Sequence, residues 1–188
     1  MYSGGLGSIA SGPSLAILLR PIDTLAAFIF HMCRYLRRRI VLTNMGLQLT
    51  LCGRRKYAKA NLCVVDRDHF ISLVQGNKTR RKAAPNLPAQ VVAQAIAAFN
   101  NKNATRLDLG LPAREAAIIP AMTMKGQVFQ FLQVPVSANL VTAINAGDFP
   151  IEETVVFDHK PDIPRPRPLK RIMEYLDNRR IIFSCYYT

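Results

Sequence analysis

The sequence predicts an α+β fold in one domain, and three observations carry that expectation. The chain has 188 residues, enough for one core of ordinary size but thin for two. Its hydrophobic fraction of 49% with 20% charged residues is that of a globular chain rather than a disordered polyelectrolyte. Between positions 23 and 74 the pattern runs helix, hairpin, glycine, helix, strand, which is an α+β order. The expected architecture is a small mixed sheet with flanking helices and additional C-terminal elements. A main domain over 1–160 would be followed by a proline-rich segment and a C-terminal helix over 161–188.

The elements are read in chain order. Leu25, Phe28, Ile29, Met32 and Leu36 recur at helical spacing and predict a helix from Asp23 to Arg39, with Asp23 as its cap. Ile40–Thr43 and Leu47–Cys52 read as short strands joined by a hairpin turn at Asn44-Met45-Gly46, and Gly53 ends the second. Arg54–Ala60 reads as the start of a helix; Leu62–Asp66 and Phe70–Val74 read as strands. A basic turn over Asn77–Lys82 is followed by Pro85 and Pro88, which break regular structure. Ala89–Phe99 is alanine-rich with branched residues at helical intervals, a helix stopping at Asn100 and Asn101. Farther on, Gln127–Val136 is a strand, Ala138–Asn145 a short helix ended by Gly147, and Thr154–Phe157 another strand. Lys160–Pro168 should be an extended, polyproline-like linker, or a segment docking on an aromatic groove. A helix over Leu169–Asp177 and an apolar end over Ile181–Tyr187 close the chain.

Charge narrows the function. Twenty-five Lys and Arg against 12 Asp and Glu give a formal +13, which calls for a polyanionic partner: nucleic acid, nucleotide phosphates or an acidic membrane surface. Thirteen of the basic residues lie between Arg34 and Lys82, where the only acids are Asp66 and Asp68. The apolar pieces Leu15–Leu19 and Leu25–Met32 are split by Arg20, Pro21 and Asp23, too short to span a bilayer. Followed by Arg34 and Arg37–Arg39, they suit either an interfacial helix on anionic lipid or an amphipathic core helix with a basic end. Cys33, Cys52, Cys63 and Cys185 form no C-x-x-C pair and His31, His69 and His159 are scattered, so a zinc module lacks support. Reduced thiols in a cytoplasmic compartment are expected. Walker A, H-E-x-x-H, G-x-S-x-G and EF-hand patterns do not occur in the sequence.

Two segments carry candidate chemistry. The first is Cys52-Gly53-Arg54-Arg55-Lys56-Tyr57-Ala58-Lys59-Ala60, expected at a strand-to-helix junction. A glycine there admits a ligand to the backbone, and helix-start N–H groups beside guanidinium groups make a phosphate site; a solvated basic helix start is the alternative. The second runs from Asn103 to Ala116. In it Asp108 can cap and Pro112 can begin a helix, with Arg114 and Glu115 in its first turn.

The first segment resembles the G-E-R-R-x-R-A-A box of the ParB/sulfiredoxin superfamily, with Arg54 in place of the glutamate. The second is similar to that superfamily's E-N-x-x-R-x-D-L-x-P-x-E-x-A box, with one extra residue before the proline. The boxes lie about fifty residues apart, which implies an insertion; Gly76–Ala84 is a rival for the first box. The resemblance implies a single ParB/Srx-like domain that binds ATP or CTP with Mg²⁺. Gly53, Arg54, Arg55 and Lys56 would cradle phosphates, Asn103 and Arg106 would contact the nucleotide, and Asp108 and Glu115 would be the catalytic carboxylates. DNA would lie on Arg37, Arg38, Arg39, Lys78, Arg80, Arg81 and Lys82. Cys52 stands beside the position of the superfamily's reactive cysteine, and a structural role is its alternative. Length, charge and an apolar N-terminal region are also similar to the superfamily's plasmid fertility inhibitors. That likeness implies ATPase and DNase activity, a type IV secretion partner, and action in the bacterial cytoplasm at the inner membrane face. The competing expectations are a non-catalytic basic module binding nucleic acid or membrane, and an interaction protein working through Pro161–Pro168.

Overall fold

The computed structural model describes residues 21–33, 39–66, 69–77, 87–166, 168 and 171–186. Helix α1 (Pro21–Met32) precedes strands β1 (Ile40–Leu51), β2 (Arg54–Asp66) and β3 (His69–Asn77). Helix α2 (Leu87–Asp108) leads to β4 (Ala116–Lys125), β5 (Val128–Ser137) and α3 (Ala138–Ala146). A short β6 (Phe157–His159), a 3₁₀ turn (Ile172–Glu174) and α4 (Leu176–Ser184) complete the chain. The strands form one mixed sheet in sequential order, antiparallel except where β3 runs parallel to β4. The parallel β3–β4 pair requires a crossover, and α2 lies within it.

Strand alternation sends side chains to two cores. Ile119 and Ala121 of β4 and Leu132, Val134 and Val136 of β5 pack with α2 (Val91, Ala95, Phe99) and α3 (Leu140, Val141). Met122, Met124 and Phe129 face the other way, onto α1 (Ile29, Phe30), Ile172 and Ile182. The α+β class and the mixed sheet flanked by helices are therefore the observed architecture, with the sheet between two helical layers. Among the described residues no helix is long and apolar enough to cross a membrane.

Several boundaries differ from expectation. Strand β1 runs unbroken through Asn44-Met45-Gly46. Asn44 takes φ 53°, a conformation asparagine tolerates, and there the alternation shifts by one: Leu42 and Met45 face the same core. The shift is matched on β2, where Ala60 and Cys63 share that core, so the pairing Thr43↔Leu62 and Met45↔Ala60 keeps its register. The hairpin turn is instead Cys52-Gly53, with φ 48° and 71°, between the paired Leu51 and Arg54. A two-residue turn matching strand twist needs positive φ at both positions, which this site supplies.

Arg54–Ala60 is strand, not helix; pairing with β1 overrides a composition tolerant of either state. Helix α2 continues past Asn100 and Asn101 to Asp108, with polar side chains bonded back to the carbonyls of the preceding turn. Asn101 Nδ2 donates to the Ala97 carbonyl (2.7 Å) and Thr105 Oγ1 to the Asn101 carbonyl (3.1 Å). Asp23 is a buried residue of α1's first turn rather than its cap, and α1 ends at Met32. Helix α3 and its stop at Gly147 are as expected, while the strand expected at Thr154–Phe157 is β6, Phe157–His159. The C-terminal helix begins at Leu176, and the apolar end is part of it: Ile182 is buried.

The proline-rich stretch is fastened to the body. Fully buried Asn178 donates through Nδ2 to the carbonyls of Arg165 (2.8 Å) and Ile172 (3.0 Å), and its Oδ1 accepts from the Arg165 amide (3.2 Å). Tyr186 locks the same layer, its hydroxyl donating to Met122 Sδ (3.0 Å) and its ring edge-on to Phe30 and Phe131.

Candidate nucleic-acid interface

β2 is paired with β3 only over Leu62–Asp66, so the rest of the β1–β2 hairpin overhangs the sheet as a two-stranded ribbon. On its inner face Leu47, Leu49 and Ala60 are buried under α2 and α3, while Arg54 and Lys56, on the same face nearer the turn, stay exposed. Polar side chains of α2 tie down its backbone: Gln94 Nε2 donates to the Lys59 carbonyl (3.0 Å) and Asn101 Nδ2 to the Gln48 carbonyl (3.4 Å). The turn docks on the C-terminus of α3. The Cys52 amide donates to the Ile144 carbonyl (3.1 Å) and the Gly53 amide to that of Asn145 (2.7 Å), satisfying carbonyls a helix end leaves without partners. Gly147 closes α3 at φ 89°, and a Cβ there would stand 3.1 Å from Cys52 Sγ. Glycine is thus required both by the left-handed conformation and by the close approach of the turn.

This scaffold holds a concentration of positive charge. From position 40 to 65 the charged residues are Arg54, Arg55, Lys56 and Lys59, and no acid accompanies them. All four side chains are exposed. Period-2 alternation puts Arg55, Tyr57 and Lys59 on the outward face with Gly46, Gln48 and Thr50 of β1 across from them. Tyr57 is 67% exposed in the middle of that face. Gly53 lies in the hairpin turn with no helix start beside it, so helix N–H groups are not available at this segment; the cations themselves are what the ribbon offers an anion.

The second segment is also built differently from expectation. Asp108 is the last residue of α2, not a cap; no helix follows Pro112, and Arg114 and Glu115 lie in the exposed approach to β4. Asn103 fastens that approach, its Nδ2 donating to the Arg114 carbonyl (3.0 Å) and its Oδ1 accepting from the Arg114 amide (2.9 Å). Arg106 Nε donates to the Pro112 carbonyl (2.8 Å), and Gly110 at φ 71° completes the helix end, with the Leu111 amide on the Arg106 carbonyl (2.8 Å). The Glu115 carbonyl accepts from Ala138 at the start of α3. Lys102, 8% exposed, sits close to Arg106 and Arg114. Burial first, then the charges of Arg114 and Arg106, holds its ammonium below the ordinary lysine range. The structure therefore brings Asn103, Arg106 and Arg114 together, joined by Lys102, which sequence reasoning missed.

No family model matches this chain, and no curated protein matches it.

Of the residues expected to hold DNA, Arg39 is described and half-buried beside β1; Arg37, Arg38, Lys78, Arg80, Arg81 and Lys82 lie outside the described residues, as does most of Gly76–Ala84. The four cysteines are free thiols. Cys52 is exposed at the turn, and burial pushes the Cys63 thiol up to about 12. Among the described residues no three His, Cys, Asp or Glu side chains gather in a way that could hold a metal ion. Sequence reasoning also passed over Tyr57 and Lys59 as functional residues. The spacing Arg55-x-Tyr57-x-Lys59 was the available signal, but it becomes meaningful only when the segment is read as strand.

Proposed function

We propose that this protein binds nucleic acid through the overhanging β1–β2 ribbon and, by that grip, acts on DNA in transfer. One observation carries the reading: Arg54, Arg55, Lys56 and Lys59 project from a rigidly backed ribbon with no carboxylate on either strand before Asp66. Contacts from such a surface go to phosphates, tolerate any sequence and depend on salt. The cellular setting in keeping with it is the one the resemblance implies. That setting is a plasmid fertility inhibitor in the bacterial cytoplasm, at the inner face of the inner membrane, acting against DNA passing through type IV secretion.

The convergence of Lys102, Arg106 and Arg114 supports a second element of the same reading, a place for the phosphates of ATP or CTP. Asn103 there acts by positioning Arg114. Asp108 and Glu115 are the nearest carboxylates in sequence for Mg²⁺ or a water, one at each end of the 109–114 loop.

The test is DNA affinity against salt. If all four ribbon cations meet phosphates, log affinity falls with log salt at a slope of up to about −3.6, and each alanine substitution lowers the steepness by about 1. Phosphate release from ATP and CTP, with nicking of supercoiled DNA, is measured on the same preparations and on Arg106→Ala. A salt slope that Arg54→Ala, Arg55→Ala and Lys56→Ala leave unchanged sinks the ribbon reading. Turnover equal in wild type and Arg106→Ala removes the nucleotide site.

A further inference from the structure

A large aromatic side chain left in water in the middle of a strand face contributes little to a core, and Tyr57 is placed there with a cation two residues away on either side. At about 3.3 Å per residue, Arg55 and Lys59 stand about 13 Å apart along the strand with Tyr57 midway, roughly two phosphate repeats of an extended single strand. Gly46 lies diagonally across the ribbon, and a Cβ at that position would meet Tyr57 Cδ1 at 3.9 Å, so glycine keeps the surface around the ring low. Gln48, directly opposite Tyr57, is exposed and brings an amide able to donate to and accept from a base edge.

We infer that the outward face of the ribbon is a platform for single-stranded nucleic acid, with a base stacked on Tyr57 and phosphates about two repeats apart, on either side of it, held by Arg55 and Lys59. The inference rests on the ribbon-binding reading above and adds the substrate class to it. Charge complementarity selects the occupant: the outward face has two cations and no carboxylate, so an acidic polymer is its match. The aromatic selects the strand state, because only unpaired bases can be splayed onto a ring. A duplex keeps its bases inside, and α2 and α3 cover the ribbon's other face at Leu47, Leu49 and Ala60, so the ribbon cannot insert both faces into a groove along its length.

The experiment is fluorescence anisotropy of the full chain with labelled oligo(dT) of about 12 nucleotides and with a duplex of equal length, for wild type and variants whose folding is checked by circular dichroism. Tyr57→Ala is expected to weaken oligo(dT) binding about tenfold while moving the duplex by less than about twofold. Tyr57→Phe should bind as wild type, since stacking needs the ring and not the hydroxyl. Unchanged oligo(dT) binding in Tyr57→Ala, an equal loss on both probes, or a wild-type preference for the duplex overturns the platform while leaving the cationic ribbon standing. Binding of both probes that survives replacement of Arg54, Arg55, Lys56 and Lys59 together by alanine overturns the ribbon itself, and the platform with it.

Discussion

Gly147→Ala tests whether the hairpin turn is held by its fit against α3. Two contributions add. An alanine at φ 89° is in the left-handed region, which costs about 1–2 kcal/mol. Its Cβ would also lie 3.1 Å from Cys52 Sγ, 3.4 Å from Cys52 Cβ and 3.6 Å from Cys52 Cα. The turn cannot simply retreat, because the Cys52 and Gly53 amides are bonded to the Ile144 and Asn145 carbonyls. Relieving the contact by rotating the sulfur or lifting the turn adds about 1–2 kcal/mol, the lower part of the range for overpacking. The total of about 2–4 kcal/mol corresponds to a melting temperature lower by about 6–12 °C, taking about 3 °C per kcal/mol for a chain of this size. A double-mutant cycle separates the two parts. In a Cys52→Gly background the contact disappears and only the conformational part remains, so the same substitution should cost about 1–2 kcal/mol. Urea unfolding of the four proteins gives the numbers. A Gly147→Ala melting point within about 1.5 °C of wild type, or an identical cost in both backgrounds, would refute the reasoning.

Other perturbations address the remaining contacts. Asn178→Ala removes the partner of the buried Ile172 carbonyl and of the partly buried Arg165 amide and carbonyl, and a loss of about 1–3 kcal/mol is expected in urea unfolding, with faster proteolysis of the 160–166 segment. Thiol labelling at pH 8 followed by mass spectrometry should modify exposed Cys52 rapidly and Cys63 only on unfolding; equal rates would contradict the burial that raises the Cys63 thiol to about 12. Burial raises the Tyr186 phenol above its ordinary value near 10, so its contribution is fully present below pH 10 and is lost as pH rises above it; Tyr186→Phe should flatten that alkaline limb of the melting temperature. For Lys102 the folded-state value is lowered, so the unfolded chain binds the proton more readily and the wild type gains stability as pH rises from the folded value toward 10.5. Lys102→Met should therefore melt higher than wild type at neutral pH, and the difference should shrink across that window.

What the sequence determined by itself was whatever depends on local pattern. Helical spacing in Leu25–Met32, the alanine-rich run after Pro88, alternation in β5 and the glycine stop of α3 are each written in neighbouring residues, and the α+β class follows from their order. The run Arg54–Lys59 was equally visible as a concentration of cations. Its form was not, because alanine, lysine and arginine permit a helix locally, and only the partner strand β1 makes the segment extended. Asn44 looked like a turn for a similar reason: its positive φ is real, but the flanking residues pair straight through it. Asn103 and Arg106 were visible as a pair, whereas their use in fastening the Arg114 and Pro112 backbone depends on how α2 ends. The exposure of Tyr57, the seat of the hairpin turn on α3 and the staple made by Asn178 join residues far apart in the chain. Such contacts are chosen by which surfaces can be buried together at once, a property of the assembled sheet and helices that no short stretch of sequence contains.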